Sequence, residues 1–148
     1  MRPSYHAIIS FSLGALLWFF TKSVYAGILC FLSGWLIDFD HVIEYALQYG
    51  FKNFKFKTIY QTCKLVLFDR LYLIFHAYEI MIILWVATIA TKNIYLLGIS
   101  IGYSSHLIMD VITNPVLPFS YFITRRFLKQ FKIHELMKES FIPRLKKK

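Results

Sequence analysis

The sequence is poor in cysteine and in acidic residues, and two common motifs of phosphate and metal sites are missing. Its two cysteines, Cys30 in an apolar run and Cys63 in a basic stretch, are too few for a disulfide framework and form no cysteine-based metal motif. The chain has no glycine-rich phosphate loop and no His-Glu-x-x-His pair. These absences exclude a disulfide-stabilised scaffold, a P-loop protein and a His-Glu-x-x-His metalloprotease.

Apolar residues and positive charge dominate instead. Hydrophobic residues make up 57% of the 148 residues, and the mean hydropathy is +0.53, well above that of ordinary soluble domains. Seventeen Lys and Arg against eight Asp and Glu give a net charge of +9. The basic residues flank the apolar runs and form no aromatic-interleaved segment of the kind that binds single strands. The composition therefore predicts an integral membrane protein, with no nucleic acid partner expected.

Four apolar segments predict an all-α fold, a four-helix transmembrane bundle made of two helical hairpins. The first two are short for a span of about 20 residues, but the second continues without a breaker until Gly50. We expect residues 1–115 to form the membrane-embedded domain and residues 116–148 to form a basic amphipathic tail that rests on anionic lipid at the interface. The predicted segments are 5–21, 24–37 (continuing to 49), 71–90 and 94–113.

The first segment has a second interpretation. Arg2 precedes an apolar run, and Val24-Tyr25-Ala26 resembles the cleavage site of a secretory signal peptide. Cleavage there would discard His6 and the hairpin with the second segment, so we favour a retained helix.

The distribution of basic residues predicts the orientation in the membrane. All Lys and Arg lie in the N-terminus, the 51–70 linker or the tail after Pro115, except Lys22 and Lys92 at the two hairpin tips. Short loops rich in Lys and Arg stay on the cytoplasmic side. Both termini and the linker are therefore expected to face the cytoplasm, in what we take to be a bacterial inner membrane.

Histidines and carboxylates recur at the predicted cytoplasmic ends of these helices. Because helices 1 and 3 begin on that side and helices 2 and 4 end there, we expect the residues to converge in one layer. Three pairs are three or four residues apart and so share a helix face: Asp38 with His41, His76 with Glu79, and His106 with Asp110. The full predicted metal-ligand set is His6, Asp38, Asp40, His41, His76, Glu79, His106 and Asp110.

This mixture of imidazoles and carboxylates suits a divalent transition metal. Zinc is our first choice, with manganese or iron also compatible, and eight candidate ligands allow one or two ions. An acid near the membrane centre costs roughly 2.5–3.5 kcal/mol on insertion scales, and a bound cation would offset that cost for Glu79 and Asp110. Asp40 is the exception, because on a regular helix it points about 160° away from Asp38. Either the helix loosens there, or Asp40 supports another ligand or a second metal.

Each candidate also has an ordinary interpretation. His6 alone is compatible with a polar anchor at the membrane interface, and residues 38–41 with the solvated end of a helix. The pairs in the third and fourth segments are compatible with structural hydrogen bonds. Glu44 and His134 are expected to be solvated. A metal centre is preferred because all four groups fall at the same predicted depth.

Three motifs resemble a known family. An N-terminal His6, the string Ile37-Asp-Phe-Asp-His41 and the string Gly102-Tyr-Ser-Ser-His-Leu-Ile-Met-Asp110 are similar to the YdjM-like family of membrane-bound, metal-dependent hydrolases. The resemblance spans about residues 1 to 115. It implies a helical bundle with a metal centre, distantly similar to zinc-dependent phospholipase C, and phosphoester hydrolysis. Ile37 departs from the family's usual proline, and the segment ending at Glu79 departs from its Arg-Gly-x-Thr-His-Ser stretch.

Two classes of function follow. The leading hypothesis is a membrane-embedded hydrolase of a phosphoester in a lipid or lipid-linked head group, using metal-activated water. Glu79 or Asp40 would act as general base, and Arg70 would steady the phosphate. The alternative is a non-catalytic membrane protein, either a metal or proton translocator or a scaffold that binds a cytoplasmic partner through its basic tail. A translocator needs polar groups that continue across the bilayer, whereas the half of each helix away from the predicted metal ligands is mostly apolar. This pattern favours the hydrolase.

Overall fold

A computed structural model describes residues 3–50, 55–65 and 67–138. Within these ranges the chain is all-α, as predicted, and contains no strand. The helices are α1 Pro3–Thr21, α2 Val24–Leu36, α3 Asp40–Tyr49, α4 Phe56–Leu65, α5 Tyr78–Thr91, α6 Ile94–Thr113, α7 Ile123–Leu128 and α8 Ile133–Leu136, with 3-10 helices at Ile37–Phe39 and Pro118–Tyr121.

Among the described residues, three helical runs are long and apolar enough to cross a membrane, namely Ser4–Thr21, Val24–Tyr49 and Ile94–Thr113. The run from Val24 ends at Gly50, as predicted, because Gly50 adopts a φ of 70° that other residues rarely take. The fourth predicted span is not confirmed, since α5 has only 14 residues.

The start of α5 is where the prediction was wrong. We expected a helix from residue 71, but α5 begins at Tyr78, and Ala77 before it has extended backbone angles. His76 therefore lies outside the helix and does not share a helix face with Glu79. The predicted pairing of these two residues by helical spacing is corrected accordingly.

Contacts between residues divide the described chain into two compact units. Unit 1 contains residues up to Asp38 and residues 77–114, which include α1, α2, α5 and α6. Unit 2 contains residues 39–76 and those from Pro115 onward, which include α3, α4, α7 and α8.

The predicted turns of unit 1 are confirmed. Lys22 and Lys92 both have positive φ, at 58° and 52°. The residue after each caps the next helix: the Ser23 hydroxyl accepts a hydrogen bond from the amide of Ala26, and the Asn93 side chain accepts one from the amide of Tyr95. Two short turns therefore join α1 to α2 and α5 to α6.

Glycines bring the helices of unit 1 into close contact. A Cβ atom added to Gly102 would lie 2.0 Å from the carbonyl oxygen of Cys30, and one added to Gly98 would lie 2.4 Å from that of Ala26. On α1, a Cβ on Gly14 would lie 2.5 Å from the Gly27 carbonyl. Backbones this close need small residues, as is common between membrane helices.

Gly98-Ile-Ser-Ile-Gly102 has the letters of a serine hydrolase elbow but not its structure. That motif needs a sharp turn between a strand and a helix, whereas this string lies inside α6. Ser100 is fully buried, and its hydroxyl lies 2.8 Å from that of Thr88 on α5. Ser100 therefore serves helix packing.

Unit 2 includes most of the region that we predicted as an interfacial tail. The described part, up to Lys138, contains short helices and two isolated backbone bridges, Arg70 with Lys132 and Val116 with Met137. Several of its side chains are buried, Arg126 to 1% exposure. The predicted basic tail is thus not confirmed as a separate amphipathic segment, and its last ten residues lie outside the described ranges. Glu44, expected to be solvated, is 1% exposed, so that prediction was wrong.

Candidate metal centre

Four of the predicted ligands come together in unit 1. His6 comes from α1, Asp38 from the 3-10 helix that follows α2, and His106 and Asp110 from one face of α6. His6, His106 and Asp110 are each no more than 2% exposed, whereas the side chain of Asp38 is 18% exposed. The cluster is therefore buried and opens toward the exterior at Asp38.

A contact with the backbone fixes the proton of His106. Its Nδ1 lies 2.8 Å from the carbonyl oxygen of Gly34. Because a carbonyl can only accept a hydrogen bond, Nδ1 carries the proton, and the Nε2 of the neutral ring has a lone pair. That Nε2 lies 3.6 Å from the Asp38 Oδ1 and 3.6 Å from the Asp110 Oδ2. A lone pair directed at two carboxylates is unfavourable unless a proton or a metal cation lies between them.

His6 completes the group. Its Nε2 lies 3.1 Å from the Asp110 Oδ1, and its ring stacks on that of His106 with centroids 3.9 Å apart. Its Nδ1 is buried and has no hydrogen-bond partner among the described residues. Such a buried, unsatisfied nitrogen is costly and commonly marks a binding role or an unseen ion.

The dimensions of this cluster fit a small divalent ion. Ligand atoms of His6, His106 and Asp110 all lie within 4.8 Å of one another. Bonds of about 2.1 Å in tetrahedral geometry put neighbouring ligand atoms about 3.4 Å apart, close to the 3.1 and 3.6 Å separations found here. Two carboxylates and two neutral imidazoles carry a charge of about −2. We call this cluster the unit 1 site (His6, Asp38, His106 and Asp110). Its ligand atoms from His6, His106 and Asp110 match a divalent cation in size, and Asp38, 3.6 Å from the His106 Nε2, adds the second negative charge.

Asp40, His41 and His76 lie in unit 2. Asp40 Oδ2 accepts hydrogen bonds from the amides of Phe75, at 2.7 Å, and His76, at 3.3 Å, and lies 3.1 Å from the His76 Nδ1. The carboxylate thus places the proton on Nδ1 and leaves the lone pair on Nε2, as it does for many metal-binding or proton-accepting histidines. The His41 ring centroid lies 5.2 Å from that of His76.

The structure clarifies the alternatives left open for Asp40. The helix does loosen, since a 3-10 turn separates α2 from α3 just before this residue. Asp40 also supports another side chain, because its carboxylate orients His76.

Glu79 and Arg70 lie elsewhere in their units. Glu79 is half-buried in the first turn of α5, and it is not in the group of ligand atoms that meets in unit 1 within the described residues. Arg70 is exposed in unit 2, where its Nη1 lies 3.3 Å from the Tyr72 hydroxyl. Their roles as base and phosphate ligand stay predictions, as does a single layer of all eight candidate ligands.

Sequence reasoning missed three contributors. The Gly34 carbonyl orients His106, while Glu44 and Arg126 are buried around the segment that carries His76. A signal for the first was present, because Gly34 continues a stripe of small residues at four-residue spacing after Ala26 and Cys30. For Glu44 and Arg126 no local pattern distinguishes them from solvated charges.

Comparison with known proteins gives no assignment. No protein-family model, no curated protein and no solved structure matches the chain. The resemblance to the YdjM-like family stays a prediction from motifs.

Proposed function

We propose that this chain is an integral membrane, metal-dependent hydrolase of a phosphoester in a lipid or lipid-linked head group, with zinc as its first candidate ion. One observation carries the proposal. The Gly34 carbonyl fixes the His106 proton on Nδ1, so that the Nε2 lone pair points toward two carboxylates beside a second buried imidazole.

A metal explains this arrangement better than a proton. A protonated His6 could pair with Asp110 at 3.1 Å, and a protonated His106 with Asp38 or Asp110 at 3.6 Å. Two positively charged rings would then stack with centroids only 3.9 Å apart, which is unfavourable. A divalent ion held by His6, His106 and Asp110 would accept the lone pairs of both imidazoles and neutralise the carboxylate that faces them. Imidazole and carboxylate together favour zinc, manganese or iron over calcium or magnesium.

The chemistry of hydrolysis divides between the ion and the chain. When bound, a divalent ion supplies Lewis acidity, which activates water and stabilises negative charge on a phosphoryl group. His6 and His106 would bind the ion as neutral ligands. Asp110 would bring negative charge, and its carboxylate contacts both rings. Asp38, the most exposed of the four, marks the side by which a substrate reaches the site. Asp40 orients His76, so Glu79 is the better remaining candidate for general base.

Apolar surfaces support a lipid substrate. A groove of about 340 Å³ lies between α5 and α6 and is almost entirely apolar. Two of its residues, Leu107 and Val111, directly follow His106 and Asp110 in α6. In unit 2, Phe127 and Leu128 are more than 70% exposed next to Lys129. We propose that this second surface contacts anionic lipid on the cytoplasmic side.

The test combines metal content and activity. We expect the full-length protein, purified in mild detergent, to contain one or two zinc equivalents by inductively coupled plasma mass spectrometry. His6→Ala and His106→Ala should lose this metal, whereas His134→Ala, at an exposed position in α8, should keep it. The same samples are assayed for phosphate release from phosphatidic acid and for head-group release from phosphatidylglycerol in mixed micelles. Metal content unaffected by both site variants would overturn the metal centre; bound metal without hydrolysis of either lipid would overturn the hydrolase.

A translocator is the second candidate, because unit 1 has further buried polar side chains. Ser10 is 1% exposed, and Ser100 and Thr88 form a buried hydroxyl pair. Zinc or proton flux into proteoliposomes that is lost in Asp110→Asn would favour this function over hydrolysis.

A further inference from the structure

The segment before α5 is held in place by side chains instead of by helical hydrogen bonds. Residues 71–77 are not helical, yet Leu71, Leu73 and His76 are buried. Buried backbone groups must find partners. The Leu71 amide donates to the Phe131 carbonyl, and Ala77 bonds to the Tyr103 hydroxyl. Between these ends, the amides of residues 72, 73, 75 and 76 and three carbonyls bond to charged side chains of α3 and α7.

The α3 side is a polar stripe at four-residue spacing. Gln48 accepts hydrogen bonds from the amides of residues 69 and 70, Glu44 from those of residues 72 and 73, and Asp40 from those of residues 75 and 76. Each acceptor four residues closer to the N-terminus of α3 thus binds a pair of amides three residues further along the segment. Gln48 also donates to the Glu44 carboxylate, at 2.6 Å, which connects the stripe.

The α7 side is one guanidinium. Arg126 is 1% exposed and donates hydrogen bonds to the carbonyl oxygens of Tyr72, Leu73 and His76. A planar guanidinium can reach several acceptors at once, which suits it to a curved loop. The segment is therefore bound through its amides by α3 and through its carbonyls by Arg126.

We infer that Glu44 and Arg126 are positioning residues that fix the orientation of His76. In this orientation the protonated Nδ1 of His76 donates to the Asp40 carboxylate, and the Nε2 lone pair is directed away from that carboxylate. The amide and the imidazole of His76 both meet the Asp40 Oδ2, so a shift of the segment would break both contacts. Burying these charges is costly, and a plain helix over residues 71–77 would satisfy the same backbone without them. What the costly arrangement gains is a single geometry for His76, whose Nε2 can accept a proton or bind a borderline metal ion.

The inference concerns unit 2 and is tested without reference to activity. The full-length protein, labelled with 15N-histidine in detergent micelles, is examined by long-range 1H–15N correlation, and the His76 signals are assigned with His76→Asn. We expect a single tautomer with the proton on Nδ1. Arg126→Met and Glu44→Gln should lose this single tautomer and give a mixture, while Arg125→Met and Glu135→Gln, matched changes at less buried positions, should retain it.

Unfolding is separated from repositioning within the same spectrum. His106 belongs to unit 1 and has its own Nδ1 contact with Gly34, so its tautomer should persist in every variant. Gln48→Ala is the milder variant, since it removes contacts to residues 69 and 70 and leaves both charges in place; it should give partial averaging at His76. A fixed His76 tautomer in both Arg126→Met and Glu44→Gln would overturn the inference. Metal-free wild-type protein with a fixed His76 tautomer would overturn the proposed function alone.

Discussion

At the residue scale, the chemistry depends on which nitrogen of each imidazole carries the proton. Two different acceptors set this in the two units: the Gly34 carbonyl for His106 and the Asp40 carboxylate for His76. Both leave Nε2 as the nitrogen with the lone pair. The two imidazoles thus have the same protonated nitrogen, although the contacts that set it share no residue. Ligand binding or proton transfer explains this coincidence more readily than burial alone.

Asp110 is expected to be the most sensitive ligand, because it faces both histidines of the unit 1 site. Asp110→Asn removes a negative charge and presents an amide group to two lone pairs. We predict that zinc affinity falls by more than about tenfold, since even residues that only support a ligand cost 10–100-fold. Competition with a chromophoric chelator measures the change.

Glu79→Gln is the matched comparison, since Glu79 is a predicted ligand that lies outside the group meeting in unit 1. We expect its zinc affinity to stay within about twofold of wild type, below the effect of losing even a supporting residue. An equal loss in both variants would restore Glu79 to the ligand set and contradict the geometry described above.

Spacing along the sequence predicted part of this site. Residues four apart on a helix share a face, so His106 and Asp110 could be paired from the sequence, and the structure does bring them together with His6. The same rule failed for His76 and Glu79, because it assumes a helix that does not begin until Tyr78. The rule is reliable only where the helix itself is certain.

At the scale of elements, the sequence predicts correctly those helix ends and turns that depend on neighbouring residues. Ser23 and Asn93 cap helices, and Gly50 ends one, because each acts on neighbouring backbone groups. The segment 71–77 is apolar enough to be helical, and what prevents a helix is a set of partners distant in sequence. Such partners leave no periodic signal, so neither the late start of α5 nor the burial of Arg126 was predictable.

The contact between α2 and α6 gives a prediction at this scale. A methyl group on Gly102 would meet the Cys30 carbonyl at 2.0 Å, so Gly102→Ala must push the two helices apart. Overpacking of this kind costs about 1–3 kcal/mol and sometimes more. We expect a lower midpoint of thermal unfolding in detergent and a loss of bound zinc, because separation of the helices carries His106 away from Gly34.

Thr113→Ala is the control for this substitution. Thr113 is exposed near the end of the same helix. Its hydroxyl donates a hydrogen bond to the Met109 carbonyl, one turn earlier in that helix. We predict an unfolding midpoint close to wild type. A Gly102→Ala protein as stable as Thr113→Ala would show that the α2 and α6 backbones are not in close contact.

At the scale of the whole molecule, charge and hydropathy together predict the membrane topology. Among the described helices, the tip with Lys22 joins the first two runs that are long enough to span, and the tip with Lys92 joins α5 to the third. The other basic residues lie outside these two tips. In α8, the carboxylate of Glu135 accepts a hydrogen bond from Lys129, which lowers the pKa of Glu135 and keeps it ionised at neutral pH. That carboxylate offsets only one of the lysines, so the surface near Phe127 stays basic and suited to the cytoplasmic leaflet.

Cysteine labelling tests this topology in intact cells. In a Cys63→Ser background, Lys22→Cys and Lys92→Cys should react with a membrane-impermeant maleimide added from outside, because both lie at hairpin tips. Leu128→Cys, at a position that is 79% exposed, should react only after the cells are permeabilised. Reaction of Leu128→Cys in intact cells would reverse the orientation. If Lys22→Cys reacts but Lys92→Cys is protected, the 14-residue α5 does not cross the bilayer. In that case α6 would cross without pairing with a spanning α5, and the predicted second transmembrane hairpin would be wrong.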